Sequence, residues 1–461
     1  MANGNSMDAK PGWRSHVIQA QVDRCLAFED HIVRLHRREY ASKLPPTILD
    51  FLEGVSIHVR GRLKRLLRDP EFTALSDSEA ATEIGRYLGL YQDMYQAASL
   101  VERVGGGDGL VELYMPLRRI LTRALGEETD LLLLPIPSVN YSLQRVGEGL
   151  RKVAEGVDVG ARTLSKLRGS IYAVGFPGLQ SAHFVGQCLV AHEVGHAMYA
   201  RYKLADELLP LVQKDEEGLG ELARSIETAM PADMAIGKVR IKASLSAAIT
   251  RAVEGWVMEI ACDIVGYALL GPAFLISALH FLPLCGPLDD STDKYPPNRM
   301  RLHLLFGLLD DSGIPYRRVR AFLKTWRDAV SFKKIEWGTP WDQLTGEAIM
   351  RVAPQISRVT LDKVKDRVGL FDYRDHVDHI HRLIERMRQG IPPNEVVRPG
   401  GPVTASFPCV MNAGWFSLLD DLGVIKRSYR WSDKEAKGKV NDWVAKAVEL
   451  AEIRTRWEEV Q

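Results

Sequence analysis

The chain has 461 residues, 46% of them apolar and 26% charged, the make-up of a globular protein able to bury a large core in about two to three domains. A formal net charge of +1 supplies no overall field, which argues against nucleic acid as a partner. Met1 to Gly12 is polar and lacks the apolar core of a secretory signal, and the five scattered cysteines (Cys25, Cys188, Cys262, Cys285, Cys409) are odd in number, so a cytoplasmic chain with reduced thiols is expected.

Residues 13 to 125 read as helices, with apolar residues at helical spacing through Val17 to Leu35, Ile48 to Leu67, Ala81 to Val101 and Val111 to Leu125. Asp69-Pro70 and the run Gly105 to Gly109 break the pattern. No Gly-Lys-Ser/Thr follows that glycine run, so it reads as a connector and not as a phosphate loop. Arg60, Arg62, Lys64, Arg65 and Arg68 form a local basic cluster, read as a solvated helix face. From residue 126 the texture changes. Leu131 to Leu134 and Ser170 to Phe176 are short runs bounded by prolines and read as strands.

His192-Glu193-Val194-Gly195-His196 follows, on an apolar stretch with helical periodicity. Two histidines four apart on a helix share a face, so both imidazoles can reach one zinc ion. Glu193, between them, can meet a water in the metal's open position and take its proton. His183 is out of phase with this face, and Cys188 reads as a buried thiol. Residues 206 to 242 are charged and loosely periodic, either a roof over a cleft or a packed helical hairpin. Glu259-Ile260-Ala261-Cys262-Asp263 then sets two carboxylates four apart on a second apolar helix. One can ligate zinc, and the other can orient a ligand histidine through its ring N–H. Glu254 lacks an Asp four residues on, so Glu259 is the better third ligand; Cys262 reads as an inert thiol.

His192 to His196 followed by Glu259 to Asp263 resembles the gluzincin metallopeptidases, whose HExxH helix is completed by a glutamate from an ExxxD helix. The metzincin pattern is absent, since Tyr199 and Tyr202 stand where its Gly and His would be. Tyr295-Pro296-Pro297-Asn298-Arg299-Met300-Arg301-Leu302 is similar to the HPPxxxRI stretch of the CAAX prenyl protease group, with Tyr295 in place of the first His. The resemblance covers roughly residues 170 to 305. It implies a small sheet before the HExxH helix, with Ile171 to Gly175 as the edge strand that aligns a substrate backbone.

Residues 264 to 288 carry no Asp, Glu, Lys or Arg. Gly266, Gly271-Pro272, Pro283 and Gly286-Pro287 interrupt the run, so it reads as buried core and not as a membrane span. After residue 310 helices are expected at Tyr316 to Val330, Asp362 to Val368, Tyr373 to Gln389 and Lys434 to Val460. His376, His379 and His381 with Asp372, Asp375 and Asp378 read as a solvated polar face. Gly400-Gly401-Pro402 marks a loop, and Phe407 to Trp415 is an apolar run without an evident role.

The expected fold is mainly α (α+β): an N-terminal helical region (1–125), a zincin-like core with a small β-sheet (126–310) and a C-terminal helical region (311–461). The expected activity is zinc-dependent hydrolysis of a peptide or protein substrate, with narrow specificity. Zn2+ is expected on His192, His196 and Glu259, with Glu193 as general base and Asp263 behind a ligand histidine. Tyr295 is a candidate donor to the oxyanion, and Arg301 a candidate anchor or substrate donor. The alternatives are a latent or degenerate zincin acting as a binding scaffold, and a zinc hydrolase of a non-peptide bond. Helical flanks leave room for a regulatory protein partner at a shielded cleft.

Overall fold

Apolar residues at three- and four-residue spacing make most of this chain helical. The computed structural model describes residues 12–40, 42–104, 111–138, 140–155, 169–178, 183–213, 237–310 and 313–460. It is 75% helical with two small sheets, the mainly α, α+β class that the periodicities predict. The glycine run at 105–109 and most of the stretch at 206–242 lie outside the described residues.

Contacts group the chain into two units. The first comprises Met1–Gly109, Glu128–Pro135 and Gln144–Ala173. Here α1 (Trp13–His36) buries Ile18, Val22, Cys25, Phe28, Ile32 and Leu35 along one stripe, and α2 (Leu44–Leu66) answers with Ile48, Leu52, Val55, Val59 and Leu63. The helix α3 (Asp77–Val104) packs on both. Arg60, read as part of a solvated cluster, instead pairs with Glu29 at 3.0 Å while Ser56 donates to the same carboxylate.

Strands β1 (Thr129–Ile136), β2 (Ser142–Arg145) and β3 (Ser170–Pro177) form a mixed sheet in the order β1-β3-β2. This corrects one expectation: Ile171 to Gly175 is not an edge but lies on the middle strand, all eight of whose residues are buried. An unbroken apolar run fits a strand covered on both faces better than an alternating half-exposed one. Gly175 lets β2 come close, since a Cβ there would lie 2.4 Å from Ser142 Oγ.

The second unit comprises Leu110–Glu127, Ile136–Leu143 and Val174–Gln461. It holds α4 (Val190–Arg201), α5 (Gly237–Leu270), α6 (Pro272–Cys285) and α7 (Asn298–Leu308), together with α8 (Arg317–Ala329), α9 (Pro340–Arg367), α10 (Phe407–Phe416) and α11 (Asp433–Val460). Residues past 310 thus share a compact unit with the HExxH helix, a different partition from the three regions read along the sequence. The uncharged run breaks at Gly271, whose φ of +59° turns α5 into α6. Among the described residues no helix is long and apolar enough to cross a membrane.

Two elements escaped the periodicity. Helix α9 starts at Pro340, capped by the Thr339 hydroxyl on Asp342 N–H, well before the expected Asp362; Pro354 in its interior hides the continuity. The loop at Gly400 is the turn of a hairpin, β4 (Glu395–Arg398) with β5 (Gly401–Thr404). The Phe407–Trp415 run is α10, and it has a structural role. Asn412 accepts from Ala273 N–H at 3.0 Å and donates to Leu270 O at 2.8 Å, clamping the turn between α5 and α6. Asn441 on α11 accepts from Val185 N–H at 3.1 Å and so holds the 3-10 turn Phe184–Leu189 that feeds α4.

Helices α4 and α5 touch at Gly195, where a Cβ would lie 2.6 Å from Cys262 Cα, a backbone atom that cannot swing aside. Gly195→Ala should therefore cost about 1–3 kcal/mol by overpacking. Gly89→Ala, in the exposed interior of α3 with nothing within 4 Å of the new Cβ, should instead stabilise by about 0.5–1 kcal/mol. Urea unfolding of the two variants checks both signs.

Candidate metal centre

The sequence run 190–201 is helical, and its first turn carries His192 and Glu193, with His196 one turn later on the same face. Helix α5 lies against it and presents Glu259 and Asp263, again one turn apart. His192 Nε2 stands 3.2 Å from Glu259 Oε2, and His196 Nε2 stands 3.5 Å from Glu259 Oε1. The two imidazole planes are nearly perpendicular, 4.8 Å apart at 81°. On its other side the His192 ring meets Asp263, with Nδ1 2.8 Å from Oδ1. Glu254, the weaker ligand candidate, is exposed.

Arg301, one turn into α7, has its guanidinium committed to this group. Its Nε donates to Asp263 Oδ2 at 2.7 Å and its Nη2 to Asp263 Oδ1 at 2.9 Å, with Nη2 also 3.5 Å from Glu259 Oε2. These bonds hold Asp263 and Glu259 in place, which bears on the anchoring one of the two roles read for Arg301. Tyr295 is 45% exposed at the start of the Pro296-Pro297 turn. Burial first and the Glu259 carboxylate second push its phenol pKa up, which puts the ring within electrostatic reach of the site. That turn rests on α5: Trp256 Nε1 donates to Thr292 O at 2.8 Å, and the Thr292 hydroxyl accepts from Tyr295 N–H at 3.0 Å.

The charges decide each protonation state. Burial opposes a charge on His192, but Glu259 and Asp263 outweigh it and raise its pKa to about 10. His196, buried and facing the His192 cation, drops to about 4. Asp263 is also buried, yet Arg301 and His192 hold it well below the usual carboxylate range. Glu259 is lowered by the same partners against the cost of its burial. Glu193 is the exception. Among the described residues no hydrogen bond or ion pair engages its carboxylate, and burial raises its pKa.

Cys262 also has its donor atom within 4.8 Å of atoms of His192 and His196. Its sulfur, however, sits 3.4 Å from His196 Nδ1, on the side of that ring turned away from Glu259. Burial, then the Glu259 and Asp263 carboxylates, push its thiol well up. Both Cys262 and Glu259 stand within reach of the two imidazoles as third donors. That contact escaped the sequence reading, which took Cys262 as inert. So did Gln187, a buried polar residue on an otherwise apolar stretch, whose carbonyl accepts from Tyr141 Oη at 3.0 Å.

Among the described residues, the other histidines singled out in the sequence make contacts of their own. The His183 ring packs 5.4 Å from Trp415, away from the α4 face. His376 stacks on Phe371 and His381 pairs with Glu385, while His379 is buried. A further group, His36, Asp50 and Glu53, lies at the surface of α1 and α2.

In chelator-treated protein the raised pKa of His192 makes stability depend on pH. Its contribution is complete below the unfolded value of about 6.5 and is lost as pH rises through about 10. The melting temperature should fall across that window, and His192→Gln should flatten the slope. Arg301→Met removes two hydrogen bonds from the buried Asp263 carboxylate, leaving it to His192, and should cost about 3–5 kcal/mol in denaturant unfolding.

Comparison of the chain with protein-family models, with curated proteins and with solved structures gives no match, so the chemistry of the site stands on its own residues.

Proposed function

We propose that the chain is a zinc-dependent peptidase of gluzincin type, cleaving a narrow set of peptide or protein substrates. The observation that carries this reading is the convergence of His192, His196 and Glu259 beside an uncommitted Glu193. Two imidazoles and a carboxylate with one further position for water or substrate are the donor set of a catalytic zinc site. These three residues would hold the ion, and Asp263 would fix the tautomer of His192. Zinc, when bound, supplies Lewis acidity that polarises the scissile carbonyl and acidifies water.

The remaining work belongs to side chains of this protein. Glu193 takes the proton of the attacking water and passes it to the departing amine nitrogen, and a carboxyl whose pKa is raised by burial is suited to both transfers. Arg301 keeps Asp263 and Glu259 anionic in a buried place. Tyr295, at the rim, donates its phenol O–H to the developing oxyanion, in the position that HPPxxxRI assigns to histidine. The enclosed middle strand β3 is not the one that aligns the substrate backbone. Five free thiols suit a reducing compartment such as the cytoplasm.

A second reading, a latent or degenerate zincin that serves as a protein-binding scaffold, draws on one observation. The strand expected to align substrate is paired on both sides.

Atomic emission should find about one zinc per chain, abolished in the His192→Ala, His196→Ala double variant. Glu259→Ala should lose the ion and Glu254→Ala should keep it. On a proteome-derived peptide library read by mass spectrometry, the zinc-loaded chain should cleave at defined bonds. Glu193→Gln should keep zinc and cleave nothing. A loaded chain with no cleavage would favour the scaffold, and release of small products from esters or amidated sugars alone would favour a non-peptide substrate. Tyr295→Phe should retain zinc and melting temperature while kcat falls by roughly 10² to 10³, the usual effect of removing an oxyanion donor; unchanged turnover would leave that role elsewhere.

A further inference from the structure

Helix α8 carries a line of cations along one side. On α11 lysines and arginines sit one turn from acids and pair with them, as in Lys439 with Asp442, Lys446 with Glu449 and Arg454 with Glu458. On α8, Arg317, Arg320, Lys324 and Arg327 follow at spacings of three, four and three, so they fall on one side of the helix. Arg317, Arg320 and Lys324 are exposed, and among the described residues none of these three makes an ion pair. The opposite side is apolar, with Val319 and Leu323 buried. In a chain with a net charge of only +1, the three exposed cations Arg317, Arg320 and Lys324 are a local concentration of charge, with Asp328 one turn beyond Lys324 as the nearest acid on the helix.

The stripe is about 15 Å long at the α-helical rise. At the Arg327 end it opens on a cavity of about 630 Å³ whose lining includes Arg327, Asp328, His303, Phe306, Ser331 and Lys334. The Arg327 guanidinium lies 5.4 Å above the Phe306 ring, and Lys334 Nζ donates to Asp328 O at 2.6 Å, one of its three N–H groups. The lining thus sets two cations against the one carboxylate of Asp328, over an apolar floor. His303 lies two residues beyond Arg301 on α7, more than a half-turn around the helix, so the cavity faces away from the metal centre.

We propose that the α8 stripe and this cavity bind an acidic peptide segment in extended form. Side chains two residues apart on an extended chain are about 6.6 Å apart on one side. That is close to the roughly 5–6 Å between neighbours one helical turn apart. About five extended residues span the stripe, and the cavity accepts a side chain at its end. Arginine forks match carboxylates. A single-stranded nucleic acid fits less well, because such sites add aromatic stacking platforms to the charge. The aromatic rings of α8 point the other way: Phe322 stacks on His280 at 5.3 Å, and Trp326 packs edge-on against Phe322 at 6.5 Å.

The test is fluorescence anisotropy of fluorescein-labelled deca-glutamate with the full-length chain, and with Glu193→Gln protein so that no cleavage intervenes. Equal binding in the two keeps the outcome separate from the peptidase reading. Binding should weaken as salt rises and fall by about tenfold or more in the Arg317→Glu, Arg320→Glu, Lys324→Glu variant at unchanged melting temperature. Single Arg320→Gln and Lys324→Gln variants should show smaller, graded losses. Absence of deca-glutamate binding, binding indifferent to these substitutions, or tighter binding of labelled deca-thymidylate on the same face would each overturn the proposal.

Discussion

Three buried carboxyl groups, Glu193, Glu259 and Asp263, crowd one point between α4 and α5, and such a group cannot persist without opposing charge. Arg301 provides it. Its forked contact with Asp263, extended by Nη2 toward Glu259, keeps both acids ionised where burial alone would protonate them. Asp263 then holds His192 by Nδ1 and turns Nε2 toward Glu259. His192 and Glu259 are in this way oriented by neighbours behind them, and the chain of contacts ends on α7. Glu193 stands outside that network, which leaves its carboxylate available for proton transfer.

Geometry of this order requires the helices themselves to be fixed. Gly195 brings the α4 backbone against Cys262, so the two ligand-bearing helices cross where a side chain would separate them. Sequence-distant asparagines secure what lies on either side. Asn412 ties the α5–α6 turn through the Leu270 carbonyl and Ala273 N–H, and Asn441 holds the turn that leads into α4. Trp415 adds a bond to Ser277 Oγ at 2.8 Å within the same core. The helices that follow residue 310 therefore stabilise the centre. The polar groups of Asn412, Trp415 and Asn441 each find a partner there, as buried polar groups mostly do.

Helix α7 links two surfaces of different character. Arg301 faces the buried acids, whereas His303 and Phe306 line a cavity continuous with the cations of α8. A substrate held at a distance from its cleaved bond gains affinity without contacts in the cleft, which is one physical route to narrow specificity. On this view the α8 stripe and the metal centre are separate determinants of what the chain engages.

Much of this was legible before any coordinates. Spacing by four placed His192 with His196 and Glu259 with Asp263 on helix faces, because an α-helix repeats every 3.6 residues whatever surrounds it. Phase likewise set aside His183, and the lack of an Asp four residues on ranked Glu254 below Glu259. The mainly helical class, the breaks at Asp69-Pro70 and Gly271, and the interruption of the apolar run at 264–288 all follow from local periodicity and from residues with restricted or permissive backbones. What the sequence could not decide were relations between segments far apart in it. Strand order is one: nothing local to Ile171–Gly175 says that β1 and β2 both pair with it, since any extended run offers two edges. The length of α9 is another, because packing overrides the interior Pro354. The partner of Arg301 is a third, for nothing in the spacing says that its Nε comes within 2.7 Å of Asp263. Helix periodicity is a property of the local backbone and is written in residue spacing; which faces meet depends on packing of the whole chain, and that was settled only in three dimensions.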